Sequence, residues 1–170
     1  RTGGGNGTVT SSPGGINCGA TCSAIYGYGA NVTLTANAAT GTTFNGWSGS
    51  GCSGTGTCIV SMTQARSVTA TFTFITYLLT VTKAGTGSGT ITSNPTGAIN
   101  CGNTCTASFN YGTPVTLSAT PRLGSTFTGW SGEGCSGTAN CVVTMTQARN
   151  VTATFGQCPA SAEAEDRAYG

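Results

Sequence analysis

An all-β protein built from two tandem, disulfide-stapled repeats is what this 170-residue sequence predicts. Three observations carry the prediction. The 28 Gly and five Pro punctuate the chain throughout, and almost no stretch keeps a helical apolar period; this is the pattern of short strands joined by tight turns. Within the short runs between those breakers, apolar and polar residues alternate. Finally, Cys18, Cys22, Trp47, Cys52, Cys58, Gln64, Arg66 and Phe72 recur 83 residues later as Cys101, Cys105, Trp130, Cys135, Cys141, Gln147, Arg149 and Phe155.

No insertion breaks that offset between Cys18 and Phe72. Upstream it shifts by one, because residues 13–16 are one shorter than residues 95–99. A period near 80 is too long for a solenoid unit that needs neighbours to fold. It suits a small domain that buries its own core with the help of staples.

The strands follow in order from their alternation. Residues 31–37 (NVTLTAN) put Val32, Leu34 and Ala36 on one face and Thr33 and Thr35 on the other, and residues 114–120 (PVTLSAT) match them. Residues 57–62 match 140–145, and 67–74 (SVTATFTF) match 150–155 (NVTATF). Shorter strands are expected at 8–11, 22–26 and 42–47, with counterparts at 90–93, 105–109 and 126–130. The TyrGlyTyrGly and AsnTyrGlyThr segments read as hairpin turns, where Gly supplies positive φ. At the junction, the apolar residues Val68, Ala70, Phe72 and Phe74 fall on even positions, whereas Ile75, Tyr77, Leu79 and Val81 fall on odd ones. Such a phase flip sends side chains to the opposite face. It places the boundary between Phe74 and Ile75, giving repeats at 1–74 and 75–156 and a polar, Ala-rich tail at 157–170. With no Gly, Pro or Ser at the joint, a stiff rod is expected rather than a flexible string.

Composition narrows the function. Charged residues make up 6% of the chain, against about 25% in ordinary soluble domains. Thr takes their place, with 34 copies; it is β-branched and suits a pleated face. No apolar run approaches the ~20 residues of a membrane span. A net charge of +2 with regular alternation does not fit a disordered chain. Nine Cys in so weakly charged a chain indicate an oxidising compartment. The chain opens on Arg1 with no hydrophobic leader, which reads as a mature or excised product.

The second repeat contains LeuThrValThrLysAlaGly, GlyThrIleThrSer, CysGlyAsnThrCys, PheThrGlyTrpSerGly, GlyCysSerGlyThr and MetThrGlnAlaArgAsnValThrAlaThrPhe. In these motifs the chain resembles the divergent bacterial repeat domain related to the internalin B-repeat, in its Cys-containing form, over about residues 1–156. The resemblance implies a small β-grasp-like or sandwich-like module, found in tandem on secreted and surface proteins. It implies no catalytic residues and no defined ligand. One departure stands out: the first unit lacks the opening strand equivalent to 78–83, because Arg1 aligns with Lys83.

The Cys are spaced CysX3Cys and CysX5Cys in each unit, and four Cys allow three pairings. Local pairs Cys18–Cys22, Cys52–Cys58, Cys101–Cys105 and Cys135–Cys141 are expected, since the intervening residues are small enough to turn back. A tetrathiolate zinc site is the competing arrangement, although these are poor knuckle spacings. Redox chemistry would want CysX2Cys and nearby positive charge; the first is absent and there is little of the second. Cys158 has no counterpart in the repeat; it is either a thiol whose mate lies outside the chain or an intermolecular disulfide. Trp47 and Trp130, in GlyTrpSerGly, are either core residues packed on a disulfide or exposed platforms for stacking glycans.

Catalysis fails on inventory. There is no His, and the acids are Glu133, Glu163, Glu165 and Asp166, the last three in the tail. No repeat supplies two carboxylates for a paired mechanism, a base for a nucleophile or the ligand set of a calcium site. Arg1, Arg66, Lys83, Arg122, Arg149 and Arg167 are dispersed, which argues against nucleic-acid binding. Pro159 can open a short helix in the tail, which reads either as a disordered end or as a docking segment for a neighbour. No enzyme activity and no cofactor are therefore expected.

Charge-free strands and a first unit without its opening strand leave an open sheet edge. The leading expectation is an extracellular structural protein at the bacterial cell surface. It would be a self-assembling filament, sheath or surface-layer subunit in which a neighbouring copy completes that edge, with Cys158 available as a cross-link. The alternatives are a stalk or adhesin segment of a longer surface protein, and a carbohydrate-binding module using Trp47 and Trp130 on surface glycans.

Overall fold

The computed structural model describes residues 1–102 and 105–158. The acidic tail residues and the helix expected from Pro159 lie outside the described residues. The described residues contain twelve strands and no helix. The chain divides into two compact units between Ile75 and Thr76.

The first unit contains β1 (Gly7–Ser12), β2 (Asn31–Ala38), β3 (Thr42–Ser48), β4 (Cys58–Ser61) and β5 (Thr69–Phe74). One antiparallel sheet runs β1-β2-β4, and β3 pairs with β5 in a second. The alternation read from the sequence decides which side chains face inward. Val9, Val32, Leu34 and Val60 come from the first sheet and Trp47, Ala70 and Phe72 from the second, and they form one buried cluster. This is the sandwich-like solution, with two inner faces interdigitating.

The second unit contains β6 (Thr76–Ala84), β7 (Gly89–Asn94), β8 (Thr106–Asn110), β9 (Pro114–Pro121), β10 (Ser125–Ser131), β11 (Cys141–Thr144) and β12 (Arg149–Gln157). Its β7-β9-β11 sheet repeats β1-β2-β4. Its other sheet runs β10-β12-β6-β8, so the β3-β5 pair is here extended by two strands. The unit's first strand, β6, lies parallel to its last, β12, in register from Leu79 opposite Arg149 to Ala84 opposite Thr154. Parallel neighbours need a long crossover, and the rest of the unit supplies it. Strand β12 continues to Gln157, which pairs with Ser125, one residue into the segment read as tail.

One expected strand is absent. Residues 22–26 were expected to match 105–109, and their counterpart in the second unit is β8, which pairs with β6 from Thr76 opposite Asn110 to Thr80 opposite Thr106. The first unit has no equivalent of β6 among the described residues, so 22–26 have no ladder to join and run as coil. A strand whose backbone groups find no partner is not held extended.

Candidate functional site

The Cys loops and the Trp residues form one device, repeated in each unit. The structure pairs Cys18 with Cys22, Cys52 with Cys58, Cys101 with Cys105 and Cys135 with Cys141, at Cα separations of 4.3, 5.6, 4.7 and 5.5 Å. In the first unit the Cys52–Cys58 loop lies over Trp47. The backbone N–H of Trp47 donates to the Gly54 carbonyl at 2.9 Å and its indole Nε1–H to the Gly56 carbonyl at 2.6 Å. Trp130 does the same with Gly137 at 2.9 Å and Ala139 at 2.8 Å. A buried indole N–H needs such an acceptor. The Gly before each Trp sits at a β-bulge with positive φ, 135° at Gly46 and 148° at Gly129, and a Cβ there would lie 3.0 or 3.1 Å from a loop carbonyl oxygen.

Both indoles are buried, 6% exposed at Trp47 and 5% at Trp130. This corrects the glycan-stacking option: with edge-to-face contacts to Phe44 and Phe127 at 5.0 and 5.1 Å, neither ring offers a free face to a sugar. Among the described residues no group of three or more metal-ligating side chains comes together. Cys158 is exposed and unpaired among the described residues.

What sets the two units apart is the place that β6 occupies. In the second unit Leu79 and Val81 point inward from β6, 0% and 2% exposed, into a cluster with Ile99, Phe109, Met145 and Val151. Tyr77 packs on Tyr111 at 6.4 Å between ring centroids. The Val81 N–H donates to the Cys105 carbonyl at 2.8 Å.

In the first unit the corresponding place is a groove of about 360 Å³, walled by Ile16, Tyr26, Met62 and Val68 and bordered by Cys22, Arg1 and Arg66. Those four wall residues are the repeat counterparts of Ile99, Phe109, Met145 and Val151. Each is only half-buried where its counterpart is buried. Tyr28, the counterpart of Tyr111, is 88% exposed. Strand β5 begins at Thr69, whereas β12 begins at Arg149, the counterpart of Arg66. Its first rungs are thus missing on the side that β6 fills in the second unit.

Only the end of the slot is occupied. Thr2 makes a parallel bridge to Thr71, donating to the Ala70 carbonyl at 2.9 Å and accepting from the Phe72 N–H at 3.0 Å. The Gly5 N–H donates to the Phe72 carbonyl at 3.0 Å, as the Gly87 N–H does to that of Phe155 at 2.9 Å. The site therefore presents unpaired backbone and apolar side chains, which is the chemistry of strand addition.

Its charges are cationic. In the second unit Arg149 bonds Glu133 at 2.5 Å, and that hydrogen bond holds the Glu133 carboxyl below the ordinary carboxylate range, against a smaller opposing effect of burial. Ser50 stands at the position of Glu133 in the first unit. Arg66 there donates only to the Ser61 carbonyl and the Thr63 hydroxyl among the described residues.

The alignment of Arg1 with Lys83 could be read from the sequence, but not which residues line the place of β6 in the first unit. Subtracting the repeat offset from Leu79, Val81 and their neighbours would have found them. That step requires knowing that β6 lies inside its sheet rather than at the edge.

Paired sheets, short Cys loops and a buried GlyTrp define a disulfide-braced β-repeat protein. The family described as the divergent InlB B-repeat domain matches residues 2–76 and again 79–159, and the chain belongs to that family. With its four disulfides, this makes it a repeat protein of the extracellular or cell-surface kind. No curated protein matches the chain. Among solved structures it is similar to the major pilin protein (T-13) from Streptococcus pyogenes serotype GAS131465, with a TM-score of 0.40 and 12% identity over 79% of this chain and 69% of that one.

Proposed function

We propose that the chain is a non-catalytic structural subunit of an extracellular filament, sheath or surface layer, held together by strand complementation between neighbouring chains. The single observation behind this is the groove in the first unit, which lies where β6 lies in the second. An apolar slot flanked by open backbone on two sides is a poor surface for a monomer to leave in water. A head-to-tail contact that fills it repeats without closing, and so makes a fibre or layer. In this reading the exposed thiol of Cys158 cross-links neighbouring chains. No cofactor takes part.

Electron microscopy of the native protein tests this, together with gels run with and without reductant. Ordered polymers are expected, with a Cys158-dependent ladder on the non-reducing gel. A monodisperse monomer at high concentration, its groove still open to solvent, would refute it.

A second reading is a stalk segment of a longer surface protein. One observation favours it: β5 ends at Phe74 and β6 starts at Thr76, so one unit's closing strand runs almost directly into the opening strand of the next. An array linked this way fills each slot from the residues just before it.

A further inference from the structure

We infer that neighbouring chains join edge to edge, like with like: β4 of one chain pairs antiparallel with β4 of a second copy, and β11 with β11 of another. This deepens the assembly reading above and rests on it for the presence of neighbours, but it uses neither the groove nor the ends of the chain.

The three-stranded sheet of each unit has one covered edge and one open edge. The segment of the first Cys pair covers β1: the Cys18 N–H donates to the Val9 carbonyl at 2.7 Å and the Ser11 N–H to the Ile16 carbonyl at 3.1 Å. Strand β7 is covered in the same way, from Cys101 to Ile91 at 2.7 Å and from Ser93 to Ile99 at 3.1 Å. In the other sheet, Gly54 and Gly137 of the second Cys loops cover β3 and β10 at Trp47 and Trp130. Along β4 and β11 no such cover lies among the described residues. The Met62 N–H donates to the Ala30 carbonyl. Hydrogen-bonded pairs alternate along an antiparallel ladder, so Cys58 and Val60 turn their backbone groups to β2 while Ile59 and Ser61 turn theirs to the free edge. The Met145 N–H and the Thr113 carbonyl set the same phase for β11, which leaves Val142 and Thr144 facing outward. Arg66 Nε takes the Ser61 carbonyl and the Thr146 N–H takes that of Thr144. The N–H and carbonyl of Ile59 and of Val142 have no partner among the described residues.

Lys, Pro or a bulge blunts such an edge in most monomers. Residues 57–61 and 140–144 carry no charge and no Pro. The registers of β4 and β11 run without a shift, and the bulges fall in β3 and β10 instead. At the same place in the two repeats stand Ile59, 67% exposed, and Val142, 59% exposed. The occupant follows from self-complementarity, because an antiparallel pair about a two-fold axis can set a residue opposite its own copy. Centred on Ile59, the pairing lets each Ile59 exchange both N–H···O=C bonds with its copy, and the Ser61 N–H reaches the Thr57 carbonyl of the second chain. The two exposed Ile side chains then lie against each other on one face and extend the row that begins at Thr33. Val142 does the same beside Thr116. Like charges stay apart, since Arg66 and Arg149 follow their strands and antiparallel pairing sends the two copies of each to opposite ends. With one such edge in each unit a chain takes two neighbours, so the contact continues from chain to chain.

Sedimentation and residue-resolved hydrogen exchange of the whole chain test this, on the unmodified protein and on Ile59→Lys, Val142→Lys and the two together. On association, the amides of Ile59, Ser61, Val142 and Thr144 should exchange at least about tenfold more slowly than in the dilute chain. The double variant should lose that protection and associate at least about tenfold more weakly. Its urea midpoint should be unchanged, because both side chains stand in solvent. Should the Lys variants fold poorly, Ile59→Thr with Val142→Thr keeps the test in force, with association weakened about two- to fivefold. Each single variant should lose protection at its own edge and keep it at the other. Loss at both edges in a single variant would mean that β4 meets β11, and overturns the like-with-like pairing. Association of the double variant as strong as that of the unmodified chain overturns the proposal, and so does an unmodified chain that stays monomeric at every concentration. Slowed exchange at the groove residues 66–70 with the edge amides unprotected would uphold the groove contact and sink this one. Slowed edge amides with residues 66–70 unchanged would do the reverse.

Discussion

Truncating Leu79 to Ala should turn the second unit into a copy of the first. Leu79 is fully buried, and the change removes three carbons. At about 0.8 kcal/mol for each buried carbon, the transfer loss alone is about 2.4 kcal/mol. The hole adds about 24 cal/mol per Å³ that the surroundings fail to close. Strand β6 is held on both sides, by β12 and β8, so closure is limited and a total of about 3–5 kcal/mol is expected. Since about 1.4 kcal/mol is a factor of ten, core amides of β7, β9 and β11 that exchange through unfolding of the unit should do so at least about 100-fold faster. Residues 106–110, which depend on β6 for their ladder, should lose protection first. Leu79 belongs to the second unit's cluster alone, so amides of β1, β2 and β4 should be unchanged. Peptide-resolved hydrogen exchange reads both units in one sample. Acceleration below about fivefold, or equal in both units, would refute the claim that β6 holds its sheet together.

Three further outcomes are expected. Replacing Cys135 and Cys141 together by Ala should destabilise the second unit by about 2 kcal/mol, from the short loop that the disulfide closes, as read from urea midpoints. In the same assay Gly129→Ala, at a φ of 148° with the Gly137 carbonyl oxygen 3.1 Å from the new Cβ, should cost about 1–3 kcal/mol. The Arg149 hydrogen bond lowers the Glu133 pKa on folding, so its contribution is present above the unfolded-state pKa and is lost as pH falls through the folded one. Acid titration of stability should show this in the second unit, and Glu133→Gln should flatten that part of the profile; an unchanged profile would rule out the ion pair.

Most of the framework could be read from residues. Alternation in NVTLTAN and PVTLSAT gave β2 and β9 with the right inward faces, because a strand half-buried in a two-sheet core must alternate. Small residues between the Cys were enough to anticipate the local pairings. The pairing of β6 with β12 was not legible, since parallel partners at opposite ends of a unit leave no turn signal between them. Residues 22–26 show the same limit from the other side. Their composition suits a strand, but strand formation depends on a neighbour that lies far away in sequence. The bulges at Gly46 and Gly129 were visible only as the word GlyTrp. The groove combines both problems: it is defined by a partner strand, and a sequence lists only what is present.

The parallel pairing of a unit's first and last strands also has a mechanical consequence. A chain pulled from its two ends draws β6 and β12 in opposite directions along their common axis. The six register pairs between them are then loaded in shear together, instead of being peeled one after another. The second unit should therefore resist more force than a unit whose strands peel apart one rung at a time. In the first unit the described residues show at this place the Thr2–Thr71 bridge alone, in the same parallel sense.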